Sequence, residues 1–326
     1  LEFRRVLFRS VQCEACHGGA ERYVKSHVEE DATHRKNLER GMYPTNDDVA
    51  RARLCLSCHI GNNEKFVTHK IMAAGHPRMS FELDTFTAIG PAHFRVDEDW
   101  VKRKGSWDGV RAWAIGQAVA AQELLRLLQS PRGRDGLFPE LVLFDCHSCH
   151  HAMGDKRGTA LRVGAGPGFV RLNDASLLML RQIVARIAPS DAGVFKQHVF
   201  NLHKAVASGN DALAQARIVE DQITAMIPKI SAHRFTGEDV KAIMIGLIDD
   251  GLNGQYTDYQ GAEQAAMAVQ SVAEFMGRHK MLNTQSVRAP MKRMLAAVAR
   301  DEKYQPAEFE KSLRELKAGV QTGATK

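Results

Sequence analysis

Every cysteine of this 326-residue chain belongs to one of three copies of a single five-residue spacing, which leaves few ways for the chain to fold. The copies are Cys13-Glu14-Ala15-Cys16-His17, Cys55-Leu56-Ser57-Cys58-His59 and Cys146-His147-Ser148-Cys149-His150. Two thiols about one helical turn apart can each form a thioether to one vinyl group of the same porphyrin. The His that follows then lies under the ring, where an imidazole nitrogen binds iron. The spacing predicts three covalently attached haem c groups. Cys13, Cys16, Cys55, Cys58, Cys146 and Cys149 are the attachment points, and His17, His59 and His150 the proximal ligands.

Other uses of these cysteines fit less well. A zinc ribbon needs two pairs converging on one tetrahedral ion. Three pairs at unequal intervals do not divide that way, and zinc has no need of a His after each second Cys. A thioredoxin-type pair would occur once, beside a βαβ pattern. Structural disulfides would not repeat one short spacing three times.

Residues 1–10 read LEFRRVLFRS, and Val-Leu-Phe-Arg-Ser is what GTG CTC TTC CGA TCT encodes, the end of a common short-read sequencing adapter. They are read as a processing artefact and set apart from fold reasoning. With no initiating Met, the expectation is an internal fragment whose upstream part held a signal peptide and a further haem motif. The net charge of +6 suggests a nucleic-acid surface at first sight. Setting aside residues 1–10 lowers it to about +4, and the propionates of three haems bring the loaded protein close to neutral. Lys and Arg are also scattered rather than striped, so no nucleic-acid partner is expected. No apolar run approaches bilayer length, so no membrane span is expected either.

The chain changes character near residue 165. Residues 11–163 are expected to form a trihaem cytochrome c domain with little regular structure, because haem faces stand in for a protein core. They hold all six cysteines and ten of the fourteen histidines. One long helix is predicted there, from about Val110 to Gln129, bounded by Pro131. Gly164 to Gly168 reads as a linker, its spacing unlike that of a phosphate-binding loop. Residues 170–326 are predicted to be an α-helical bundle of six or seven helices. Leu177, Leu180, Val184 and Ile187 recur at helical spacing, as do Phe195, Val199, Leu202 and Val206. Thr236 with Asp239 resembles a capping box, and so does Thr257 with Gln260. Pro306 suits a first helical turn before Phe309, Leu313 and Leu316. The fold class is all-α.

The second axial position of each iron separates an electron carrier from a catalyst. Outside the proximal positions the N-terminal part offers His27, His34, His69, His76, His93, His147 and His151, an unusual supply for about 140 residues. His147 is committed between two attachment cysteines. His151 follows a proximal His directly, so it can reach a neighbouring haem but hardly its own. Met42, Met72, Met79 and Met153 offer thioethers, ranked below His. His198, His203, His233 and His279 belong to the bundle. His198 and His203, flanking an apolar stripe, are expected at solvated or interfacial positions.

The segment Cys13-Glu14-Ala15-Cys16-His17-Gly18-Gly19 followed by His27, and Ala74-Gly75-His76-Pro77 after the second motif, resemble the multihaem c-type cytochromes related to the tetrahaem electron carrier of ammonia-oxidising bacteria. The resemblance covers about residues 11–155 and none of the bundle. It implies His27, His76 and His93 as distal ligands, and the Cys-x-x-Cys-His-His arrangement implies His151, with His34 and His69 weaker candidates. The chain departs from the family in having three motifs and in Gly18-Gly19-Ala20 where Gly-Pro-Gly is usual. Bis-His ligation closes both axial positions and leaves outer-sphere transfer. The expected function is therefore electron transfer to redox protein partners in a bacterial respiratory or nitrogen/sulfur-metabolism chain, with the bundle as a docking module. The alternative is a multihaem oxidoreductase acting on a small nitrogen or sulfur compound at an open iron. Proton donors there would come from His34, His69, Arg78, Glu82 or Asp84. Because thioether attachment takes place outside the bacterial cytoplasmic membrane, a periplasmic location is expected.

Overall fold

The computed structural model describes residues 12–78, 80–90, 96–105, 107–134, 139–150 and 170–323. Residues 1–10, Met79, His93, His151, Met153 and the glycine-rich stretch 164–168 lie outside the described residues. Among the described residues the fold is all-α, as expected. It contains fourteen α-helices, short 3-10 turns and one isolated antiparallel β-bridge between Phe144 and Leu172. None of these helices is long and apolar enough to cross a membrane.

Two compact units divide the chain at Cys55/Leu56. The first holds α1 (Cys13–His17), α2 (His34–Glu39) and the start of α3 (Asp48–His59), joined by 3-10 turns at Ala20–Arg22 and Ser26–Val28. Thr33 caps α2 by accepting from the Lys36 amide. Few side chains are buried here, among them Tyr23, Asn37 and Ala52. Hydrogen bonds organise the segment instead. The His17 carbonyl accepts from the Tyr23 hydroxyl at 2.7 Å and from the Tyr43 amide at 2.9 Å. Gly18 turns the chain out of α1 at φ +79°, where a Cβ would also lie 3.1 Å from the Gly41 carbonyl oxygen.

The second unit contains three short helices, α4 (His69–Ala73), α5 (Leu83–Ile89) and α6 (Glu98–Lys104). Eight longer ones complete the bundle: α7 (Gly109–Gln129), α8 (Ala175–Ile187), α9 (Pro189–Ser208), α10 (Ala212–Ala232), α11 (Gly237–Leu252), α12 (Tyr259–Arg278), α13 (Thr284–Ala297) and α14 (Pro306–Gly323). The seven after residue 170 match the number expected there. The predicted apolar residues Leu177, Leu180, Val184, Phe195 and Leu202 are buried. The Thr236–Asp239 capping box forms, and Pro306 opens α14. At α12 the cap is Asp258, which accepts from the Gly261 amide at 2.7 Å, rather than Thr257. A carboxylate one residue closer to the helix outcompetes the weaker hydroxyl.

The helix predicted at 110–129 exists as α7, but it is a bundle element. It rests on α8, α10, α12 and α5. Val110, Trp113, Ile115, Ala118, Val119 and Leu125 are all buried, so α7 is enclosed around most of its circumference. Its register is fixed by polar pairs. The Gln117 amide donates to Gln264 at 2.9 Å, Gln122 to Thr224 at 2.6 Å, and Arg126 to Glu220 at 2.9 Å. The donors are thereby paired, while among the described residues the side-chain oxygens of Gln117 and Gln122 have no partner.

Candidate haem sites

No two of the six cysteines are joined as a disulfide. In the first motif α1 places Cys13 and Cys16 one turn apart and both exposed. In the second motif the last turn of α3 sets the same spacing, with Cys55 half-buried and Cys58 exposed, and His59 ends the helix. The His59 ring stacks on Phe81, with centroids 4.0 Å apart and planes 16° apart. Burial of that face lowers the His59 pKa and so favours the neutral, metal-binding imidazole. Gly61, at φ +104°, turns the chain away, and a Cβ there would collide with Phe66.

The third motif is built differently. Asp145 caps the 3-10 turn Cys146–Ser148, accepting from the His147 amide at 3.2 Å and the Ser148 hydroxyl at 3.0 Å. The Asp145 amide donates to the Arg171 carbonyl at 2.8 Å, and the Asn173 amide to the Leu143 carbonyl at 2.9 Å, so the motif is zipped to the segment leading into α8. Arg171 lies 3.6 Å from Asp145 and 2.7 Å from Asp258, all three buried. Burial and the nearby Asp258 carboxylate push the Asp145 carboxyl up, against the pull of Arg171. His147 is buried beside Tyr259, at a centroid distance of 5.8 Å. Gln260 donates to the Cys146 sulfur at 3.6 Å.

His59 of the second motif and Cys146 of the third line the same cleft. Its walls include His59 and Phe81 on one side, Cys146 and Leu143 on another, and Ala120 and Leu124 of α7 between them. Only about 90 Å³ of it is cavity, below the volume of a cofactor pocket, and the rest is open to solvent. One end is polar. Arg78 there pairs with Glu263 at 2.8 Å and lies over the Tyr259 ring at 5.0 Å, and Ser80 donates to Glu263 at 2.7 Å. The lining thus combines apolar side chains with one charged pair.

The spare histidines fall into distinct groups. His27 Nδ1 lies 2.7 Å from the Val24 carbonyl and His76 Nδ1 2.7 Å from the Pro77 carbonyl. A carbonyl can only accept, so Nδ1 is the donor in each and Nε2 keeps its lone pair. Metal-binding histidines show this same outer hydrogen bond. His34 instead engages Asn46 through Nε2 at 2.9 Å. His69 lies beside His150, with ring centroids 6.0 Å apart. Among the described residues no three His, Cys, Asp or Glu side chains gather as a metal cage, whereas an axial haem pair requires only two.

Several sequence-stated roles are resolved by contacts. Glu82 is 1% exposed and caps α5, its oxygens accepting from the Asp84 and Thr85 amides at 2.8 and 2.7 Å. Burial nevertheless raises its pKa to about 7. Asp84 accepts from the Trp107 indole at 3.2 Å. His203, expected at a solvated or interfacial position, is buried and lies 3.1 Å from Asp174, also buried. His198 meets Gln222, and His233 meets Asp239. Sequence reasoning missed Arg171, Asp258 and Gln260 as supports of the third motif. The only local hint was an Asp directly before Cys146, since capping carboxylates favour that position.

No protein-family model, curated protein or solved structure matches this chain.

Proposed function

We propose that the chain is an electron-transfer protein working through three covalently bound c-type haems, of the kind found in multihaem carriers of bacterial respiratory or nitrogen/sulfur metabolism. The observation that carries this reading is that His59 of the second motif and Cys146 of the third line the same cleft, because haems attached that near one another would form a conduit rather than isolated stores. The use of every cysteine in the same spacing supports it, as do the carbonyl-anchored His27 and His76. Bound haem supplies a one-electron couple whose potential follows its axial ligands.

The chain's own residues hold, orient and shield. Cys55 with Cys58, and Cys146 with Cys149, would hold haem through thioethers, and His59 and His150 would supply the proximal imidazoles; His59 and Cys146 line the cleft. Phe81 fixes the His59 ring plane. Phe66, Val67, Leu124 and Leu127 exclude water, and Arg78, held by Glu263, offers a guanidinium to carboxylate propionates. In this reading the protein is periplasmic and meets redox protein partners.

The oxidoreductase alternative requires a proton donor at an open iron. Glu82 is the carboxyl with the suitable pKa, but both its oxygens are engaged as a helix cap. The carrier is therefore favoured. Low-temperature EPR of the oxidised, haem-loaded protein tests the choice. Low-spin signals unmoved by nitrite or hydroxylamine are expected. A high-spin signal that shifts with either ligand would move the enzyme to first place.

A further inference from the structure

We infer that His69 and His150 are the two axial ligands of a single haem iron, the one attached through Cys146 and Cys149. This rests on the haem reading above and adds the distal partner to it. Their ring centroids lie 6.0 Å apart with planes 35° apart, the one imidazole–imidazole contact among the described residues. An imidazole nitrogen binds a metal at ~2 Å and its ring centre lies ~1 Å beyond, so two such rings on opposite faces of one iron have centroids ~6 Å apart.

The placement is built rather than incidental. His69 is the first residue of α4, whose start is capped by the Thr68 hydroxyl accepting from the Ile71 amide. Its own amide donates to Glu140 Oε1 at 2.6 Å, across 71 positions of sequence. Glu140 immediately precedes the Leu141–Leu143 turn that runs into the third motif. The contact therefore ties the residue carrying one imidazole to the segment carrying the other. Among the described residues no hydrogen bond occupies the His69 ring nitrogens, in contrast to His27, His34 and His76.

The test uses the full haem-loaded protein with haem counted in each sample. In His69→Ala one haem in three should change from low spin to high spin, and added imidazole should restore it. In His69→Met all haems should stay low spin while one midpoint potential rises, because Met/His ligation is the more oxidising arrangement. That second variant decides the matter if His69→Ala fails to fold. Low-spin haems and unchanged potentials in both variants would overturn the pairing and reduce the contact to an aromatic pair. Wild-type protein without covalent haem would overturn the haem reading instead, so the two failures are told apart.

Discussion

The first and third motifs share a spacing but not a setting. Cys13–His17 is a one-turn helix with no side-chain cap and no buried residue, tied down through the His17 carbonyl. Cys146–His150 begins on a buried carboxylate, is zipped to the strand-like segment before α8, and is locked through Arg171 to the cap of α12. One motif is organised by a handful of hydrogen bonds, the other by the bundle itself. Identical local chemistry can thus rest on different sources of order. The first motif buries no apolar side chain of its own, whereas the third draws its apolar contact from the bundle.

Breaking the third setting should have the largest effect. Arg171→Ala leaves Asp145 and Asp258 buried without their counter-charge, and should cost about 3–5 kcal/mol in denaturant unfolding of the bundle. A cost below about 1 kcal/mol would show that the network is not what holds the motif. Removing the first attachment pair, Cys13→Ser with Cys16→Ser, should raise amide exchange across residues 12–47 and leave exchange in α7 to α14 unchanged. Equal loss of protection in both regions would erase the contrast.

The bundle unit should also carry a pH dependence through Glu82. Its pKa rises from 4.5 to about 7 on folding, so the folded state binds more protons between those values. Stability should therefore be fully present below about pH 4.5 and fall as pH rises through about 7, by on the order of 1–3 kcal/mol. Glu82→Gln should flatten that slope in a urea series taken across the window. The smallest effect belongs to the first motif, where Tyr23→Phe removes the hydroxyl bond to His17 and should cost about 1 kcal/mol.

Local chemistry was legible in the sequence and long-range placement was not. The motif cysteines, the Thr236 cap and Pro306 at the head of α14 depend on residues within a few positions of one another. The membership of α7 in the bundle was hidden because it is apolar nearly all round, so no single stripe points to a partner. His203 looked solvated because Asp174 lies 29 positions away. Nothing near Arg171 in the sequence marks its role, because its partners Asp145 and Asp258 are likewise distant. The His69–His150 contact likewise spans the second and third motifs, and no spacing rule brings those two residues together.

The most direct test of the central claim is a reductive titration of the full protein, with intact mass measured on the same sample. The account predicts a mass increase of three haems and fully reversible uptake of three electrons per chain. A chain carrying six free thiols or bound zinc, with no reversible electron uptake, would contradict it.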